Sequence, residues 1–329
     1  MRLETLIGAQ ICVGFPGTQA SQRLIRHLRA LQAQSIILFA RNIQHPRQVS
    51  RLIRDLQRGL GWRLLVLIDH EGGRVVRFRR GLTMFPAARE AAQAGTPSAI
   101  ERQGATEARE LKPLGFAVNL APCVDVAVPG SDPVIGDRSY GDAPRTVSRF
   151  APARIRGLQR HGVAACAKHF PGLGAVRRDP HKMLPTIRLD RAAMERVHLV
   201  PFRSAIRAGV AMVMSSHVCY PRLGDPEGWP ATFSRRLIHG WLRERLGFRG
   251  VIVSDDLLMG ALRSFGTVGT CAVQAVAAGH DLLLICADLS AQVDAYKSLQ
   301  CYYLKDIRRQ KALTASIRRI YALRARFLS

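Results

Sequence analysis

Eight apolar, β-rich runs recur along this 329-residue chain, each parted from the next by a stretch of helical periodicity. That alternation narrows the folds open to it. The expected strands are Ile7–Phe15, Ser35–Ala40, Leu64–Asp69, Phe116–Asp125, Ala164–His169, Ala211–His217, Val251–Asp255 and Asp281–Ala287. Between them, Ser21–Leu31 places Leu24, Ile25, Leu28 and Leu31 on one helical face. Ser234–Leu246 offers Ser234 as N-cap and a stripe of Leu237, Ile238, Trp241, Leu242 and Leu246. Pro46–Leu60, Ala143–His161 and Arg191–Ala208 have the same character. Strands joined through helices pair in parallel, because each return to the same sheet edge needs a long crossover.

Two architectures satisfy that pattern, a closed barrel and a doubly wound open sheet. Polar residues separate them. A barrel collects its site from the C-terminal ends of many strands, whereas an open sheet gathers polar groups at one switch point, often beside a glycine-rich phosphate loop. Here Asp69, Asp125, the Lys168-His169 pair, His217 and Asp255 end five different runs. No glycine-rich nucleotide motif follows the first run. The expected fold is therefore an α/β single-domain (β/α)8 TIM barrel spanning residues 1–329. Two connections, Glu71–Pro97 and Phe170–Pro185, exceed what a simple loop needs, and long loops in compact domains usually carry function.

Composition removes other classes. With 47% hydrophobic and 22% charged residues the chain is globular rather than disordered. The net charge of +25 comes from 49 Lys+Arg, only six of them Lys. The arginines spread over nearly every expected helix, densest at 74–80 and 318–326, and no nucleic-acid module accompanies them. The excess therefore reads as solvated surface, and no nucleic-acid partner is expected. Seven cysteines without a paired motif point to free thiols in a reducing compartment, hence the cytoplasm. No apolar run reaches the length of a membrane span, and Ile7–Phe15, preceded by Glu4, makes a poor signal peptide. A monomer is expected.

Five blocks carry chemistry. In Asp69-His70-Glu71-Gly72-Gly73-Arg74 a strand-end acid meets two glycines, a turn able to present a carboxylate to a pocket, or simply to cap the next turn. In Gly136-Asp137-Arg138-Ser139-Tyr140 the arginine can clamp hydroxyls or a carboxylate, or form a surface ion pair. Lys168, closing an apolar strand in Lys168-His169-Phe170-Pro171-Gly172, is costly to bury without a partner. In Asp179-Pro180-His181 a carboxylate two residues from an imidazole can orient it and raise its basicity, unless the two are merely a solvated pair. In Ser254-Asp255-Asp256-Leu257, strand alternation sends one acid toward the barrel mouth and the other toward a helix. No metal-ligand spacing or nucleophile-elbow motif is present, so neither a metal nor any other cofactor is expected.

Taken together, these blocks, in this order and spacing from about residue 7 to 288, resemble glycoside hydrolase family 3 and within it the NagZ-type β-N-acetylhexosaminidases. The resemblance implies a one-domain barrel in which Asp255 is the nucleophile, His181 the general acid and base, and Asp179 its partner. It implies that Asp69, Arg77, Arg138, Lys168 and His169 hold the terminal sugar. The implied substrate is a peptidoglycan fragment, a muropeptide with terminal N-acetylglucosamine on anhydro-N-acetylmuramic acid, and the implied role is cell-wall recycling. Alternatives are a β-glucosidase, β-xylosidase or glycoside phosphorylase of the same family and, in another class, a non-catalytic basic binding protein. The chain departs from the family pattern at His70, where Gln is common, at Leu173, where a second His stands, and at Pro180, where Ser stands. Residues 288–329 fit least well and are expected to form a less typical helical C-terminus.

Overall fold

In the computed structural model, which describes residues 2–181 and 183–328, eight parallel strands close on themselves in sequence order. They are β1 (Ile11–Val13), β2 (Ser35–Leu38), β3 (Leu65–Ile68), β4 (Val118–Asn119), β5 (Ala164–Phe170), β6 (Met212–Ser215), β7 (Val251–Asp256) and β8 (Leu282–Ile285). β1 pairs with β8 to seal the barrel. The helices are α1 (Leu3–Gln10), α2 (Gln22–Ala30), α3 (Pro46–Leu60), α4 (Ala88–Ala94), α5 (Pro97–Leu111), α6 (Pro144–Arg160), α7 (Arg191–Ala193), α8 (Leu199–Arg207), α9 (Val268–Ala278), α10 (Leu289–Leu304) and α11 (Ile307–Phe327). π-Helical segments at Met194–His198 and Arg236–Arg245 complete the outer ring.

Local sequence accounts for these elements. α3 begins with Pro46 after His45, whose side chain accepts from the Gln48 N–H, and ends at Gly61 with φ 87°. Val49, Leu52, Ile53, Leu56 and Leu60 form its buried stripe, the spacing of a helix laid on a sheet. The Ser234 hydroxyl accepts from the Leu237 N–H at 3.1 Å, so Ser234 does cap its helix, although the following turns are π rather than α.

Two expected strands are much shorter. Leu3–Gln10 is helical, so only the last part of Ile7–Phe15 enters the barrel. Residues 7–10 are all buried, and an apolar run buried on every side does not reveal its period. α1 instead lies against α11: Gln10 bonds Ser316 and Tyr303. The fourth strand pairs regularly only at Val118 and Asn119, because the chain then turns through Pro122, which has no N–H to give. The long Glu71–Pro97 connection contains α4.

The last helix closes the N-terminal end of the barrel. Arg319 and Ser316 bind the Asp281 carboxylate just before β8, and Arg324 donates to the carbonyls of Gln34 and Arg63 at 2.8 Å. Polar strand ends are thereby left to gather at the other mouth.

Candidate active site

A cleft of about 890 Å³ opens at the C-terminal mouth. Every residue proposed from sequence lines it: Asp69, Arg77, Arg138, Lys168, His169, Asp179, His181 and Asp255. Asp125 and His217, the other strand-end polar residues, are buried and do not.

One side of the cleft is an ion-pair network. The Lys168 ammonium lies 2.7 Å from both the Asp69 and the Glu71 carboxylates. Arg138 grips Glu71 with two hydrogen bonds of 2.8 and 2.9 Å, and Arg77 reaches Asp69 at 3.2 Å. Burial pushes both carboxyls up, but the neighbouring cations outweigh it and hold Asp69 and Glu71 below their ordinary values. Burial lowers Lys168, and the same two carboxylates raise it to a net value above that of a free lysine. All these groups therefore stay charged, and the cost of burying each is met by a partner.

His169 is braced from behind. Asp125 accepts from the His169 ring Nδ1 at 2.8 Å, from the His169 backbone N–H at 3.1 Å and from the Leu173 N–H at 2.6 Å. Burial raises the Asp125 carboxyl, and these donors bring it below the usual range. A carboxylate only accepts, so Nδ1 carries the hydrogen and Nε2 faces Arg138 at 3.4 Å. Cys123, Asp125 and His169 bring ligand atoms within 4.8 Å of one another. The Cys123 thiol also donates to Asp125, at 3.4 Å, and with Asp125 committed to four donors the cluster works as a brace.

The glycine turn that presents Asp69 and Glu71 is fixed from below. Arg154, buried in α6, donates to the carbonyl of Glu71 at 2.9 Å and pairs with Glu107 of α5 at 2.6 Å. Asn119 bonds both the N–H and the carbonyl of His70.

The other side of the cleft is more open. Asp179 accepts from the His181 ring Nδ1 at 2.7 Å and from its backbone N–H at 2.9 Å. The imidazole is 59% exposed, leaving Nε2 available to exchange a proton. Gly260 and Ala261 donate to the carbonyls of His181 and Pro180, tying this loop to the segment that follows Asp255. Asp255 accepts from the Asp256 N–H at 2.8 Å.

The expectation that Asp255 and Asp256 turn opposite ways is corrected. Both line the cleft, because the β7–β8 register shifts between Val253 and Asp256. Asp256 accepts from the N–H groups of Leu258 and Cys286. Burial pushes its carboxyl up to about 6, while those two N–H groups pull the other way and Asp255 adds to the rise. Ile37, Phe39, Met214, Leu284 and Cys286 supply an apolar part to the cleft.

Sequence reasoning missed Glu71, Asp125 and Asp256 as site groups. Glu71 was signalled only by its motif, and the role of Asp125 depends on a contact 44 residues away.

The Glycosyl hydrolase family 3 N terminal domain matches residues 6–323. A beta-hexosaminidase of Thioalkalivibrio sulfidiphilus is 41% identical over 275 residues, 82% of this chain and 77% of that protein. Among solved structures, a family 3 β-N-acetylglucosaminidase from Paenibacillus sp. str. FPU-7 superposes with a TM-score of 0.95 at 38% identity. All of this chain is covered there, and it spans 63% of that longer protein. NagZ from Neisseria gonorrhoeae in complex with N-trifluoroacetyl-D-glucosamine gives a TM-score of 0.79 at 29% identity, covering 93% of this chain and 96% of that one.

Proposed function

Because this chain belongs to glycosyl hydrolase family 3 and is a glycosidase of the β-hexosaminidase type, we propose that it releases terminal β-linked N-acetylglucosamine through a covalent glycosyl-enzyme on Asp255. The observation that carries the reading is the convergence, on one cleft, of a half-buried strand-end carboxylate and a carboxylate-oriented imidazole with a free nitrogen.

In this reaction the terminal sugar lies against Asp69, Arg77, Arg138, Lys168 and His169. Their charges hold one another in place, so they meet hydroxyls without reorganising. Asp255 attacks the anomeric carbon. His181, protonated on Nε2, gives its proton to the leaving oxygen and afterwards takes one from water, while Asp179 balances the imidazolium. Two such steps return the anomeric configuration. The apolar patch of Met214, Leu284 and Cys286 suits the methyl of a 2-acetamido group.

The substrate in this reading is a peptidoglycan fragment, the setting cytoplasmic cell-wall recycling, and residues 1–329 act as one catalytic domain and as a monomer. Six of the seven cysteines are buried free thiols and the seventh is exposed and unpaired, in keeping with a reducing compartment. No helix among the described residues is long and apolar enough to cross a membrane.

Aryl β-N-acetylglucosaminide and aryl β-glucoside hydrolysis, followed by mass spectrometry after a 2-fluoro sugar, tests the proposal. Faster release from the acetamido substrate and an adduct on the Asp255 peptide are expected. Product of inverted configuration, or an adduct elsewhere, overturns it.

A further inference from the structure

At the opposite end of the barrel from the catalytic mouth, a second cleft of about 520 Å³ opens between the turn leading into β7 and the last helix, α11. Its floor is apolar: Val210, Phe248, Val251, Leu323 and Phe327 are all buried. Gly209 and Gly247 border it with φ 75° and 66°, and a Cβ built on either meets nothing within 4 Å.

The walls are cationic. Arg249 rises from the turn before β7, and Arg318 and Arg326 project from one side of α11, eight residues apart with Ala322 between them. All three are exposed, and none forms an ion pair with a described carboxylate. Deeper in, Arg319 and Arg243 share the single carboxylate of Asp281. Burial, opposed by Asp281 and helped by Arg319 and Arg249, brings Arg243 down to about 10. Arg324 and Lys112, nearby on the same end, are also lowered, by burial first and then by Arg63.

An uncompensated cationic rim around an apolar floor asks for a ligand that is both anionic and apolar. Guanidinium forks match phosphate oxygens in pairs, and their flat faces stack on rings. The two rings of the floor are already covered in this way, Arg243 sitting 5.3 Å from the Phe248 ring and Arg326 4.8 Å from that of Phe327. A pocket of this volume accommodates a small organic molecule. We propose that this cleft binds an aromatic organophosphate of nucleotide size, its ring lodged in the cleft against the flat faces of the guanidinium groups and its phosphate toward Arg249, Arg318 and Arg326.

Calorimetric titration of the full chain with adenosine monophosphate, adenosine and inorganic phosphate at low salt reads this directly. Adenosine monophosphate should bind with a Kd below about 1 mM, and adenosine and phosphate each at least roughly 10-fold more weakly. The pair Arg318→Ala/Arg326→Ala should weaken the nucleotide about 10-fold or more while aryl-glycoside turnover is unchanged. Ala322→Trp, which fills the cleft and keeps its charges, should abolish binding. Absence of saturation by the nucleotide at about 10 mM, phosphate binding as well as the nucleotide, or both variants binding like the parent overturns the proposal.

Discussion

The two sides of the catalytic cleft are built on opposite principles. On the side formed by β3, β5 and the 136–138 turn, Lys168 and Glu71 are only 3% and 6% exposed, and every charge is locked to another. On the side formed by the 179–181 loop and the end of β7, the His181 imidazole is mostly in solvent and leans on one carboxylate. The difference follows from what each side has to do in the proposed reaction. A surface that positions a sugar gains from rigidity, since hydrogen bonds fixed beforehand cost nothing to orient. A group that gives and takes a proton needs contact with water and access to the leaving oxygen. In that reading buried ion pairing is concentrated on the side that holds the sugar, and proton transfer falls to the side more open to water.

Substitutions can separate the two sides. Asp255→Ala should lower turnover by at least about 1,000-fold, with cooperative unfolding kept, because in the proposed reaction it removes the attacking atom. Hydrolysis at the parent rate would break the comparison outright. Lys168→Met should do something different: it leaves Asp69 and Glu71 short of a partner in a buried place, a loss of roughly 3–5 kcal/mol in denaturant unfolding. His181→Ala should cut turnover roughly 100-fold while shifting unfolding by less than about 0.5 kcal/mol, as expected of an exposed side chain. If instead His181→Ala destabilised the fold as much as Lys168→Met, the open side would be a structural element too.

How far the sequence alone reveals this depends on which side is considered. The barrel was legible because strand-end polar residues fell on many runs and helix stripes such as that of α3 kept their period. That Asp255, His181 and Lys168 would reach one cleft was legible in a similar way: each is a polar group at an apolar run or in a loop too long to be idle. What stayed hidden depends on contacts between distant segments. Glu71 becomes a hub only when Arg138, 67 residues later, closes on it. Asp256 joins the cleft only because of a register shift that no alternation rule foresees. The helical start at Leu3–Gln10 was hidden by burial on all faces, which erases periodicity.

Acid tests the rigid side from another direction. His70 is buried, and its ring Nδ1 accepts from the Arg77 N–H at 3.2 Å. Burial, then Arg154 and Arg77, lower its pKa to about 4. The neutral ring is the one the fold favours. Its contribution is therefore complete above the unfolded value of about 6.5 and is lost as pH falls toward 4. His70→Gln removes the titration. Between pH 7 and 4.5 the parent should lose roughly 2–3 kcal/mol more stability than this variant. Parallel curves for the two proteins would mean that His70 is charged as easily folded as unfolded.

The smallest expected effect sharpens the open side. Pro180 separates Asp179 from His181, and its ring fixes one backbone angle of the segment that aims the imidazole. Its carbonyl accepts from Ala261 and that of His181 from Gly260, and a serine at 180 retains both bonds. Pro180→Ser therefore changes only how many conformations the loop samples when it is not docked, a term of about 0.4–1 kcal/mol. That corresponds to a fall in kcat/KM of roughly 2–5-fold on an aryl N-acetylglucosaminide, with the unfolding midpoint almost unmoved. A fall as deep as that of His181→Ala would show that the two backbone bonds do not hold the loop and that the proline does. No change at all would show the reverse, that docking onto the segment after β7 is complete without it.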